Sequence, residues 1–222
     1  MRTRHNNDRR VSAAPWDTVM RIVISVENRL DYQLITAGYS LTVDRWDAFV
    51  RERLVDEWLG AYTAMSTWRT EVLGITQGAL VYLFDAAPTL KPVTDLPADD
   101  RVVAVWGHSQ QAANPRDRAR LTGFLANPSA WSRARLDRGH LVAHAAGGGL
   151  DLNLFPQAMN LNRGRSAQGR VWRKMEAYLA RNPGTPLFVR PIYVGPSWRP
   201  AALDYGLLNG GELWSERFVN DV

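Results

Sequence analysis

The chain of 222 residues reads as an α+β protein, an N-terminal α+β accessory domain followed by a basic C-terminal domain, on three observations. Segments of β-branched or alternating apolar residues (21–28, 78–85 and 101–106) are interspersed with segments of helical spacing (44–62 and 168–181). A loop carrying Pro88, Pro92 and Pro97 separates the halves. Charge changes sign across that loop. Residues 1–100 hold 11 Lys/Arg and 14 Asp/Glu, giving −3, whereas residues 101–222 hold 16 and 8, giving +8. The expected division is a disordered tail over 1–14, an accessory domain of unknown role over 15–97 and a second domain over 98–222.

Each element follows from its residues. Ile22, Ile24 and Val26 share one strand face, and residues 32–43 continue in β-branched and aromatic residues after Asp31, which predicts a hairpin. Asp44 is the expected cap of a helix whose apolar residues are Trp46, Phe49, Val50, Leu54, Trp58, Leu59 and Tyr62. Trp46, Trp58 and Trp68 are expected in the core. Residues 78–85 and 101–106 read as strands and 115–125 as a helix. Ser166 is placed to cap a helix over 168–181, with Val171, Met175 and Leu179 as the buried stripe. Residues 186–194 form a strand that Pro191 should interrupt or confine to an edge. Two further segments, 199–208 and 213–219, flank the hairpin turn Asn209-Gly210-Gly211.

Composition removes several classes of function. Without cysteine there are no disulfides, thiolate metal ligands or cysteine nucleophiles. Residues 1–15 are too polar for a secretory signal, and no apolar run reaches the ~18 residues of a membrane span, so a cytoplasmic location or export by a dedicated route is expected. Lys91 and Lys174 are the only lysines, so 25 of the 27 basic residues are arginine. Its planar fork suits phosphate oxygens, although a GC-rich genome would leave the same bias.

The chemistry concentrates in residues 137–176: Asp137-Arg138-Gly139-His140, then Asn153-Leu-Phe-Pro156-Gln157, then Leu161-Asn162-Arg163-Gly164, then Trp172-Arg-Lys-Met-Glu176. This ordered succession resembles the DNA/RNA non-specific endonuclease family, a ββα-metal (His-Me finger) fold. The match covers about 136–179. The resemblance implies that His140 is the general base and Asn162 the protein ligand of magnesium, with manganese as a substitute. Glu176 would hold metal-bound waters, Arg138 would contact phosphate, Asn153 would support the catalytic site and Asp137 would position its neighbours. Arg163, Arg170, Arg173 and Lys174 would bind the nucleic-acid backbone.

These residue types suit phosphodiester hydrolysis. A histidine, with an ordinary pKa of about 6.5, takes a proton from attacking water. A hard divalent cation prefers oxygen ligands and retained waters, and an amide oxygen supplies one without cancelling the metal's charge. Gly139 would let the imidazole approach a substrate closely. Trp172 and Glu176 lie one helical turn apart, so Glu176 could reach back toward Asn162.

Two departures stand out. Many relatives place an arginine four residues after the glutamate, where this chain has Ala180 and, one position off, Arg181; Arg173 or Arg170 is the expected substitute. The interval from Asn162 to Glu176 is also long, and includes Gly164 and Gly169.

Blander roles compete at each site. His140 could be a turn histidine, Asn162 a helix-start residue, and the basic helix a solvated face. His144 has no evident third ligand for a metal pair with His140, and Gly147-Gly148-Gly149 lacks the lysine of a phosphate loop and reads as a flexible connection.

The expected substrate is DNA, RNA or both with little sequence preference, because backbone contacts carry no base information. The rival is a nucleic-acid-binding module of the same fold with weak or lost turnover, for which Ala180 speaks. The chain's ending is similar to nuclease domains of bacterial polymorphic toxins, which implies a toxin or defence role and an immunity or regulatory partner. The strand rhythm of 22–85 is faintly similar to aegerolysin-like membrane lysins, but its helical middle argues against that. Membrane contact by the N-terminal part is therefore not expected, though left open.

Overall fold

The computed structural model describes residues 29–65, 72–85, 101–112, 135–194, 197 and 199–222. Residues 31–222 form one compact unit, mixed α and β, with two antiparallel sheets. The expected tail over 1–14, the strand over 21–28, Trp68 and the helix over 115–125 lie outside the described residues.

The larger sheet contains β1 (Val72–Gln77), β2 (Leu80–Asp85), β3 (Arg101–His108), β6 (Pro186–Ile192), β7 (Ala202–Asn209) and β8 (Glu212–Val219), in that spatial order and antiparallel throughout. The smaller is a two-stranded ribbon of β4 (Leu136–His140) and β5 (Leu154–Ala158). Helix α1 is Tyr32–Thr36, α2 is Trp46–Phe49, and α3 (Val55–Met65) continues α2 through a π-helical turn over Val50–Leu54. Helices α4 (Met159–Asn162) and α5 (Ala167–Arg181) follow the ribbon.

Three layers result, because the central strands bury both faces. In-register neighbours Trp106 and Phe188 meet aromatics from the first helices: Phe188 lies 4.8 Å from Tyr32, 5.3 Å from Trp58 and 6.4 Å from Trp46 between ring centroids. The adjacent pair, Val105 and Val189, belongs to a second core with Trp172, Met175 and Leu179 of α5, together with Leu141, Val142 and Phe155 beside the ribbon. Alternation of side chains along a strand produces this division. Phe188 can lie across β7 because its register partner there is Gly206, where an added Cβ would come within 2.2 Å of the ring.

The first face also buries a charged group. Asp204 on β7 accepts from Arg190 of β6 (2.9 Å), Arg217 of β8 (2.7 Å) and the Tyr32 hydroxyl of α1 (3.0 Å). Three strands and a helix are thereby tied at one carboxylate, in a place where an unpaired charge is costly.

Several expectations change. The predicted boundary at 97/98 falls between β2 and β3, which are hydrogen-bonded neighbours, so the sheet is continuous across it. Local composition suggests a boundary there, but pairing of the flanking strands is a non-local property. Residues 32–36 are helical rather than extended. Asp31 caps them, accepting from Leu34 N at 3.1 Å, while Tyr32 is buried and Leu34 is 73% exposed. Asp44 caps nothing; the helix beginning at Trp46 has no side-chain cap. Strand β1 was not expected.

Pro191 neither interrupts β6 nor lies on an edge strand; it pairs in register with Leu203. The β3 side of β6 is unpaired beyond Val189, however, so Pro191 occupies a place where a sheet tolerates a residue without N–H. The turn at Gly210-Gly211 (φ +61° and +89°) connects β7 to β8 as expected. No described helix is long and apolar enough to cross a membrane.

Candidate functional site

The four motif segments fall on consecutive elements: Asp137 to His140 on β4, Asn153 at the end of a 3-10 turn with Leu154 to Gln157 on β5, Asn162 at the end of α4, and Trp172 and Glu176 on α5. Strands β4 and β5 pair so that Asp137 faces Gln157 and His140 faces Leu154. One residue fastens this ribbon to the main sheet. The Asn220 amide donates to the carbonyls of Pro156 and Pro200 (2.8 Å each) and accepts from Ala158 N (2.6 Å).

Asp137 is a hub. Its carboxylate accepts from Asn162 Nδ2 (2.9 Å), Arg163 Nε (2.9 Å) and Arg163 Nη2 (2.7 Å). The amide nitrogen of Asn162 at the end of α4 is thereby held against β4. The same hydrogen bond, then the Asp137 charge, raises the Arg163 pKa further. That guanidinium is engaged within the protein rather than wholly free for a nucleic-acid backbone.

His140 is 6% exposed and ends the strand that carries Asp137, three residues or about 10 Å of extended chain away. Arg138 is half-buried between them. Asn153, fully buried, organises the loop directly after His140. Its amide accepts from Val142 N (2.9 Å) and donates to the carbonyls of Val142 and Gly149 (2.8 Å each), and its own carbonyl accepts from Leu141 N (2.8 Å). These bonds clamp the loop that follows His140.

The clamp corrects the reading of 147–149 as a flexible connection. An added Cβ at Gly148 would lie 1.8 Å from the Val142 carbonyl oxygen, and Gly147 has φ +92°. These glycines permit close backbone packing. Gly139, expected to admit a substrate, is instead covered by Gln157, whose Oε1 would be 2.2 Å from a Cβ there. Gln157 is fully buried, and its amide has no hydrogen-bond partner among the described residues.

Helix α5 begins at the expected cap, Ser166, whose hydroxyl accepts from Gly169 N at 2.9 Å. Its buried side comprises Gly169, Trp172, Met175, Glu176 and Leu179; Val171 is only half-buried. Trp172 packs edge-on against Tyr205 (5.0 Å) and Phe218 (5.1 Å), which rotates the stripe from the expected one. Glu176 is 8% exposed and accepts from Arg173 Nη1 at 2.8 Å. Desolvation, and then the Glu176 charge, push the buried Tyr205 phenol well above its ordinary pKa.

The long interval from Asn162 to Glu176 has a structural use. Gly164 takes φ +68° and rests against the aliphatic stem of Arg173, whose guanidinium pairs with Glu176. Gly169 allows α4 to cross α5 closely: a Cβ would lie 2.5 Å from the Asn160 carbonyl oxygen and 2.9 Å from that of Leu161.

Glycine to alanine inside a helix normally stabilises by up to ~1 kcal/mol. Gly169→Ala should do the opposite, destabilising by about 1–3 kcal/mol, because the obstacle is backbone. Denaturant midpoints give the sign, and a stabilised variant would refute the close crossing.

Of the other basic residues, Arg181 folds back so that Nε donates to Ala177 O (3.0 Å). Lys174 lies over Trp214 at 5.5 Å. Arg170 is exposed, and Arg173 is 61% exposed despite its ion pair. His144 opens a short 3-10 turn, and His108 Nε2 lies 3.4 Å from Val43 O, away from the ribbon.

The motif region is thus a two-stranded ribbon followed by a short and a long helix, within a mixed α+β unit. No family model matches the chain, and no curated protein matches it. Among solved structures the chain is similar to Sda1 nuclease with a bound zinc ion, at 17% identity and TM-score 0.40, covering 58% of this chain and 73% of that one. It is also similar to an extracellular endonuclease, at 16% identity and TM-score 0.38, covering 70% of this chain and 87% of that one.

Proposed function

We propose that this protein is a metal-dependent nuclease of the ββα-metal type, hydrolysing phosphodiester bonds of DNA, RNA or both with little sequence preference. The observation that carries the reading is the Asp137–Asn162 hydrogen bond, made between the first and third motif segments, which orients the one side-chain oxygen the chemistry requires. The ribbon-then-helix order of the motif residues supports it.

The donor set fits a hard cation that keeps most of its water. Among the described residues no group of three His, Cys, Asp or Glu is placed to hold a metal, so the proposed ligand is the Asn162 amide oxygen, with Glu176 ordering waters. Bound magnesium, or manganese in its place, would neutralise charge developing on the phosphoryl and leaving oxygens. His140 accepts the proton of the attacking water at an imidazole nitrogen. Asp137 keeps the Asn162 amide from rotating, and Asn153 fixes the chain just beyond His140. Arg138 contacts the phosphate. Arg173, alongside Glu176, takes the place of the arginine missing at Ala180, and Arg170 and Lys174 extend the basic surface along the strand, with Arg163 held by Asp137.

The purified chain should degrade plasmid and total RNA with magnesium and leave both intact with chelator, activity returning when metal is restored. Binding without cleavage under every metal condition would favour a nucleic-acid-binding module instead. The biological setting proposed is a bacterial toxin or defence effector held in check by an immunity or regulatory protein. Slowed growth on expression, relieved in His140→Ala, tests it.

A further inference from the structure

We propose that a cavity beside the ribbon, lined by Arg135 and Arg165, is an anion subsite for a backbone phosphate of a polynucleotide strand, outside the scissile position; this rests on the nuclease reading. The cavity measures about 230 Å³ and is lined by Arg135, Met159, Asn160, Arg165 and Val222. No lining side chain is acidic. Among the described residues, Arg163 is committed to Asp137, Arg173 to Glu176, and Arg190 and Arg217 to Asp204. Arg135 and Arg165 differ. Neither side chain makes a hydrogen bond or ion pair with any described residue, Val222 included.

Arg135 and Arg165, lining one cavity, repel each other, and an anion between them converts that repulsion into attraction. The walls are fixed by backbone bonds. Met159 N donates to Arg135 O (2.9 Å), and Arg165 N donates to Asn160 O (2.9 Å). Arg135 is held at φ +54°, a left-handed conformation uncommon outside glycine, at the point where the chain enters β4.

Placement identifies the anion. Arg135 precedes Asp137 by two residues, about 7 Å of extended chain, and Arg165 follows Asn162 by three. The cavity is therefore lined by residues close in sequence to both members of the pair that orients the proposed metal ligand. Guanidinium forks match phosphate oxygens, and the Met159 and Val222 side chains give the sugar an apolar wall. A contact of this kind adds affinity without reading sequence.

The test uses the full chain in chelator, so that binding is read without turnover. A fluorescein-labelled 20-base-pair DNA duplex and an RNA of equal length are titrated by anisotropy at several salt concentrations. Arg135→Ala/Arg165→Ala should bind about tenfold more weakly, and the slope of log affinity against log salt should shrink by about 1 to 2. Arg51→Ala, whose guanidinium stacks over Trp106 on the opposite face of the sheet, should bind as the parent does. Because Arg135 and Arg165 are exposed, thermal midpoints should be unchanged.

Parental affinity and slope in the double variant would overturn the subsite. So would an equal loss in Arg51→Ala, which would reduce the effect to net charge. Cleavage with magnesium is scored separately: loss of binding in the double variant of a chain that never cleaves would remove the nuclease reading and retain the anion subsite.

Discussion

Replacing His140 with alanine should lower magnesium-dependent cleavage by about 10²- to 10⁴-fold, the usual contribution of a positioned general base. Affinity for nucleic acid in chelator should change less than threefold, because phosphate contacts rather than the imidazole hold the substrate. His140 is nearly buried, so a structural effect has to be separated from a chemical one. His140→Gln keeps most of the volume and hydrogen-bonding capacity but accepts no proton near neutrality; it should be as inactive as the alanine variant. Added imidazole should partly rescue His140→Ala and leave His140→Gln unaffected. If the glutamine variant retains more than a tenth of parental activity, the base lies elsewhere.

Asp204→Ala should destabilise the fold by about 3–5 kcal/mol, the ordinary cost of breaking a buried ion pair from one side. Arg190 is 2% exposed and loses its carboxylate, Arg217 loses two hydrogen bonds, and Tyr32 loses the acceptor that docks α1 on the sheet. For a chain of this size the melting temperature should fall by roughly 6–20 °C. The double variant Arg190→Met/Asp204→Leu should recover much of that loss, since apolar residues of similar volume avoid the uncompensated charge. A loss below about 1 kcal/mol in Asp204→Ala would show that water or other groups satisfy the arginines.

What could be read beforehand divides along physical lines. The helix at Ser166 and the hairpin at Gly210-Gly211 were legible because a capping hydroxyl and paired glycines act within four residues of the feature they specify. Strands with dense apolar runs, β2 and β3, were legible for a similar reason. Residues 32–36 were not. Their composition suits a strand, and the outcome was decided by Tyr32 reaching Phe188 and Asp204 far along the chain. The continuity of the sheet across residues 86–100 was likewise set by pairing partners rather than by the prolines between them.

At the candidate site the residues stood out, but their connections did not. Nothing in residues 137–163 announces that Asp137 holds Asn162, and nothing in 147–149 distinguishes a packed glycine turn from a loose one. Gln157 was visible in the motif without any hint that its amide is buried over Gly139.

The fastening at Asn220 bears on when the molecule becomes competent. Translation runs from the N-terminus at about 5–20 residues per second, so His140, Asn162 and Glu176 are all made several seconds before the side chain that secures β5. A growing polypeptide would hold every reactive group and lack the last rivet that keeps the ribbon in register with the sheet. Competence would then wait until residue 220 has been made and docked against β5.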